Sequence, residues 1–281
     1  MHLHREIGFV VQRELRRNFR SVRGLALYAL TMLGGLVATL IGAKVNDYGA
    51  DVRNDYGAEV AKAGATKVYE LLYRGDAVVA ERLSGAPSTL VVTAWASVWL
   101  CPLLVALIGF DAISAERQHR TLRYLTVRTR RGSYFVGKWL GLWATTAIVL
   151  FGVELISWLC DLAIVHDSVK DVFTWGPLLF AVALPILAAW SAVATFMGSL
   201  TKTPMIALLL IFGVFTVQWI LGNFQATESQ WRHLAFAYPG SLDHYLLRTG
   251  ASQLAIGFGA ALAFPLVFVG GGSLLFARSE V

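Results

Sequence analysis

Several groups of residues have the types and spacing for chemistry, and each implies a different kind. Gly132-Ser-Tyr-Phe-Val-Gly137-Lys138 repeats the spacing of a phosphate-binding loop, but Trp139 stands where a serine or threonine hydroxyl would hold magnesium. Such a loop also follows a strand, whereas this stretch leads into an apolar span. The chain is therefore expected to bind no nucleotide itself. Glu154 is the one acid deep inside an otherwise uncharged run, with Asp161 and His166 further along. An ionisable group at such depth faces a bundle interior or a cavity. Substrate contact, a proton relay and a helix–helix hydrogen bond all remain open for it. His233, Asp243 and His244 share one loop without the spacing of a zinc signature, so no metal is expected. Cys101 and Cys160 fall in apolar spans and read as buried thiols, not a disulfide. No catalytic set emerges.

The elements that position these residues follow from composition. Of 281 residues 56% are hydrophobic and 15% charged, with a mean hydropathy of +0.59, against about a quarter charged in a soluble domain. Uncharged runs of about 20 residues, enough for a helix to cross some 30 Å of hydrocarbon, predict an all-α polytopic membrane protein. Six spans are expected: Gly24 to Ala43, Leu90 to Phe110, Trp139 to Val165, Pro177 to Leu200 (kinked at Pro185), Pro204 to Asn223 and Ser252 to Phe276. Only Thr201, Lys202 and Thr203 separate the fourth from the fifth, which makes that pair a tight hairpin. The chain opens on a charged segment instead of a cleavable signal peptide.

Residues 1–23 form the first unit, an amphipathic helix ahead of the six-span domain of residues 24–281. Ile7, Val10, Val11, Leu15, Phe19 and Val22 recur at three- and four-residue steps, and Arg13, Arg16, Arg17, Arg20 and Arg23 occupy the other faces. Such a basic helix belongs in the membrane interface against anionic lipid. Its net charge of +4, the −1 of residues 44–89, the +5 between spans two and three and the −2 of the next loop alternate. That alternation puts both termini in the cytoplasm and segments 44–89 and 224–249 outside. The external segment carries a tandem octad, 46–53 and 54–61, expected to cap a helix from Lys62 to Leu83. Most tryptophans, Trp139 and Trp143 among them, lie near span ends as an interfacial belt would.

The segment from Phe110 to Gly141 is the most basic stretch between spans, with seven basic and two acidic residues. Within it Ile113-Ser114-Ala115-Glu116-Arg117, then Thr121-Leu122, Arg131 and Gly137-Lys138-Trp139-Leu140-Gly141 resemble the cytoplasmic loop of type-2 ABC transporter permeases. Arg120 replaces the glycine usual in that loop, and its turn proline is missing.

The resemblance implies a half-transporter in the cytoplasmic membrane. A coupling helix in loop 111–138 would sit in a groove of a separate ATP-binding subunit, with Ile113, Glu116, Arg117, Thr121, Leu122, Arg131, Gly137 and Lys138 as its coupling residues. Glu116 would engage that subunit or the N-terminal helix. The implied partners are two ATP-binding subunits, which carry the ATP and magnesium, and a second permease copy or sister permease. Nucleic acid is not among them. Export of a hydrophobic, lipid-like or peptide-like molecule is the implied activity, through a cavity lined by spans two and five. The rival readings are a membrane anchor that recruits a cytoplasmic machine through its basic loop, and a membrane enzyme using Glu154 with Asp161 or His166.

Overall fold

A computed structural model describes residues 3–119, 130–224 and 236–278. The described residues hold helices and turns without a strand. Six helices are long and apolar enough to cross a membrane: Val22–Tyr56, Ser88–Gln118, Arg131–Val165, Val169–Leu200, Pro204–Gly222 and Ala251–Phe276. The second and fourth are the most buried. Around the fourth, Ile186, Leu187, Ala189 and Trp190 have no exposed surface. The first, fifth and sixth present leucine, isoleucine and phenylalanine outward, as hydrocarbon requires of a bundle's rim.

The boundaries differ from the expected ones where polar residues continue a helix. The first span helix runs 35 residues, Val22–Tyr56, about 52 Å at 1.5 Å per residue, and so overshoots the hydrocarbon. The first octad is therefore helix interior and not a cap. The chain breaks at Gly57, whose φ of 93° suits glycine alone. Beyond it the expected helix from Lys62 to Leu83 is two helices, Ala58–Leu72 and Ala77–Leu83. Asp76 makes the second one possible: its Oδ1 accepts from the Val78 and Val79 amides while Oδ2 takes Arg248 at 2.8 Å. With Tyr69, Tyr73, Val79 and Leu83 buried, the pair forms a cap on one end of the bundle.

At the other end the N-terminal helix, Leu3–Arg20, turns into the first span at Ser21. The Ser21 hydroxyl accepts from the Gly24 amide at 2.9 Å, and a side chain at position 24 would collide with the Asn18 carbonyl. The third span helix starts at Arg131, not Trp139: the charge that ends the uncharged run, Lys138, is met inside the helix by Glu14 and Glu116. Spans three and four are tied by two indoles. Trp139 Nε1 donates to the Ala188 carbonyl at 3.0 Å and Trp143 Nε1 to Leu184 at 3.1 Å. Those two tryptophans are helix–helix contacts instead of belt residues.

Candidate functional site

The face that the N-terminal helix turns to the bundle is Glu6, Val10, Glu14 and Asn18, four residues apart and all buried. This stripe differs from the apolar periodicity. Phe9 is half-exposed, Ile7, Val11, Leu15 and Phe19 flank the contact, and Arg16 and Arg20 point outward. A helix can approach with two glutamates inward only where cations await them. The third span provides both the cation and the room. Lys138 is the cation, and Gly137 and Gly141 flank it on the same face. A Cβ at Gly137 would stand 2.6 Å from Val10 Cβ, and one at Gly141 would stand 2.7 Å from Glu14 Cβ. The Gly-Lys-x-x-Gly spacing is thus a docking groove for the N-terminal helix.

Lys138 has no exposed side-chain surface. Its Nζ donates to Glu14 Oε1 at 2.7 Å, Glu116 Oε1 at 2.7 Å and the Ala112 carbonyl at 2.6 Å, which uses all three ammonium donors. The continuous helix of span two ends at Gly109, and after a turn Glu116 stands on the short helix Ser114–Gln118. Its Oε1 also meets Arg13 at 3.3 Å and Arg17 at 4.0 Å, and its Oε2 accepts from the Tyr134 hydroxyl at 2.5 Å. Arg17 reaches Glu14 at 2.9 Å and Asp111 at 3.8 Å, and Arg23 reaches Asp111 at 2.7 Å. Seven charges from the N-terminal helix, the turn after span two and the start of spans one and three thus close into one network. At its edge the Arg130 amide donates to Glu6 at 3.1 Å. That bond, with help from Ser133, holds the Glu6 carboxyl below the usual carboxylate range.

The coupling residues named from sequence separate into groups. Glu116, Gly137 and Lys138 meet in the network. Ile113 is buried beside Val10, Tyr134 and Phe135. Arg117 donates to the Ser199 carbonyl and so caps the end of span four. Arg131 opens the third helix. Thr121 and Leu122 lie outside the described residues. The phosphate-loop look-alike is two turns of helix whose lysine is already fully engaged.

Glu154 belongs to a second polar array. Spans two and three run antiparallel, and Ser97 faces Glu154, Thr93 faces Ser157 at 3.2 Å, and Thr89 donates to Asp161. Thr39 of span one joins at 3.3 Å from Thr93. Glu154 and Asp161 are about 10 Å apart along the helix axis, and each has a hydroxyl partner, so the pair has no acid–base geometry. His166 lies past a turn of π-helix, Asp161–Val165, in a left-handed conformation. Asp243 and His244 are sequence neighbours 3.7 Å apart, and His233 is outside the described residues. Sequence reasoning missed Glu14 as a partner. The available signal was two glutamates, Glu6 and Glu14, on a helix otherwise basic.

A comparison with curated proteins finds no match. Residues 9–281 match the model of a family described as ABC-2 family transporter protein. The six apolar helices agree with that match, and the chain belongs to the ABC-2 transporter family as a multi-pass membrane permease subunit.

Proposed function

We propose that the chain is one permease of an exporter that takes its energy from two copies of a separate ATP-binding subunit, and that it pairs with itself or a sister permease. It would lie in the cytoplasmic membrane with both termini in the cytoplasm. The observation that carries this is the network on Lys138 and Glu116. A push on the turn after span two cannot be absorbed locally, because Glu116 is bonded to the N-terminal helix and to span three. ATP-driven approach of the two partner subunits would therefore move three elements as a unit. Glu116 acts here as a positioning residue within the permease, and the partner would meet the surrounding loop.

The groove between spans two and five would serve as the substrate path. Trp99, Pro102, Phe212, Phe215, Trp219 and Tyr238 line a groove of ≈280 Å³, with Trp99 and Trp219 edge to face at 6.4 Å. Arg74 of the cap stacks over Tyr238 at 4.8 Å. Aromatic walls with little polar surface suit a hydrophobic, lipid-like or peptide-like cargo. The test is to purify the permease with its ATP-binding partner and measure ATP turnover and transport in vesicles. Glu116→Ala should leave the complex assembled while transport falls at least tenfold. Unchanged transport and turnover would remove the coupling role, and partner binding that never responds to nucleotide would favour the anchor reading.

A further inference from the structure

Beside the network, and facing outward instead of inward, the first two spans leave two connected openings. One is a niche of ≈110 Å³ lined by Arg17, Asn18, Ser21, Arg23, Tyr28 and Asp111. The other is a groove of ≈250 Å³ between spans one and two. Leu27 lines both. The groove follows Leu27, Gly34 and Ala38 on one helix and Leu107, Leu103 and Ala96 on the other. From Leu27 to Ala38 is about 16 Å along a helix, close to half of the roughly 30 Å hydrocarbon core. The opening thus has the length of one leaflet and is almost wholly apolar.

The niche has the opposite character. It sits at the N-terminus of the 35-residue first span, where the helix dipole favours an anion. Arg17 is shared between Glu14 at 2.9 Å and Asp111 at 3.8 Å, and Arg23 meets Asp111 at 2.7 Å. The four cations and three carboxylates of the network leave one positive charge in excess, and the Arg23 side chain keeps 42% of its surface exposed. Tyr28 is only 8% exposed and lines the niche, yet its buried hydroxyl has no hydrogen-bond partner. A cationic niche with a waiting donor, opening into an apolar slot one leaflet long, has the charge and shape of a phospholipid. We infer that it holds one anionic phospholipid of the leaflet on the N-terminal-helix side. The phosphate lies among Arg17, Arg23 and the Tyr28 hydroxyl, and one acyl chain fills the groove past Gly34. This lipid is held at a built site, unlike those in passing contact with the outward Arg16 and Arg20. Its binding needs neither nucleotide nor a second subunit.

Gly34 gives a clean test, because no atom lies within 4 Å of where its side chain would begin. Gly34→Leu fills the groove without touching the fold, and its melting temperature in lipid-free detergent should equal the native one. The full chain would be titrated with dioleoylphosphatidylglycerol, dioleoylphosphatidylcholine or glycerol phosphate, and bound ligand counted by native mass spectrometry. The expected result is one phosphatidylglycerol bound at least tenfold more tightly than phosphatidylcholine, with glycerol phosphate unable to displace it. Gly34→Leu and Arg23→Gln should each weaken it about tenfold or more, as loss of the chain slot or of a charge-assisted bond implies. Arg16→Gln with Arg20→Gln should leave it unchanged. Native affinity in Gly34→Leu, equal binding of both lipids, or displacement by glycerol phosphate would each overturn the assignment. Should Arg23→Gln fail to fold, Gly34→Leu still decides the matter.

Discussion

Replacing Lys138 by methionine is the sharpest test of the network, since it keeps the unbranched stem as far as Cε and removes the ammonium with its charge and three hydrogen bonds. Glu14 and Glu116 each stand 2.7 Å from the ammonium, with 2% and 7% of their side-chain surface exposed. Without the cation two buried carboxylates face each other with only the part-exposed Arg13 and Arg17 at hand. Removing one partner of a buried ion pair costs about 3–5 kcal/mol, because the other charge stays desolvated. Unfolding of the full chain in mixed micelles, followed against denaturing detergent, should show a loss of that size for Lys138→Met. Neutralising the partners as well, with Glu14→Gln and Glu116→Gln, should recover most of it, since an uncharged cluster of similar volume has no such debt. Lys138→Arg should not rescue, as the planar guanidinium does not fit a three-point ammonium site flanked by two glycines. The reasoning is refuted if Lys138→Met unfolds with the native protein, or if the triple variant is no more stable than the single one.

Two further outcomes follow from the same contacts. Gly141→Leu, whose side chain would begin 2.7 Å from Glu14 Cβ, should lift the N-terminal helix off span three and speed protease cleavage between residues 3 and 20 by at least tenfold; unchanged cleavage would show that the glycine is not a docking position. The Glu6 carboxyl is held below its ordinary value by the Arg130 amide, so its contribution is complete above the unfolded value of about 4.3 and is lost as pH falls through the lower folded value. Amide exchange at the start of span three should therefore rise only below about pH 4, and Glu6→Gln should make it independent of pH over that range.

How much of this was legible in the sequence depended on the kind of signal. Uncharged length marked every span, because the bilayer sets that length. The basic stretch 110–141 marked the segment that holds Glu116 and Lys138, because charge has few places to go in such a chain. The contacts that organise the site were not legible in the same way. Periodicity of Ile7, Val11 and Leu15 pointed one face of the N-terminal helix toward lipid, while the bundle takes Glu6, Glu14 and Asn18, which read as surface until Lys138 is known to face them. Glu154, Ser157 and Asp161 lie on one helical face, and Thr89, Thr93 and Ser97 lie on another. Only the antiparallel pairing of the two spans makes those two rows one ladder, and pairing is a long-range fact. Helix ends were misplaced for a related reason: Arg131 and residues 44–56 are polar, and hydropathy stops where the hydrocarbon does, not where the helix does.

The paired indole bonds from Trp139 and Trp143 to the Ala188 and Leu184 carbonyls make one rigid lever of two neighbouring helices. Torque applied near Lys138 must therefore travel into the helix that carries the wholly buried Trp190, at the centre of the bundle. The first span joins this unit through the Arg23–Asp111 ion pair at one end and, further along, through the hydroxyl contacts of Thr39 with Thr93 and of Ser88 with the Gly42 carbonyl, each a bond of about 0.6 kcal/mol inside a membrane.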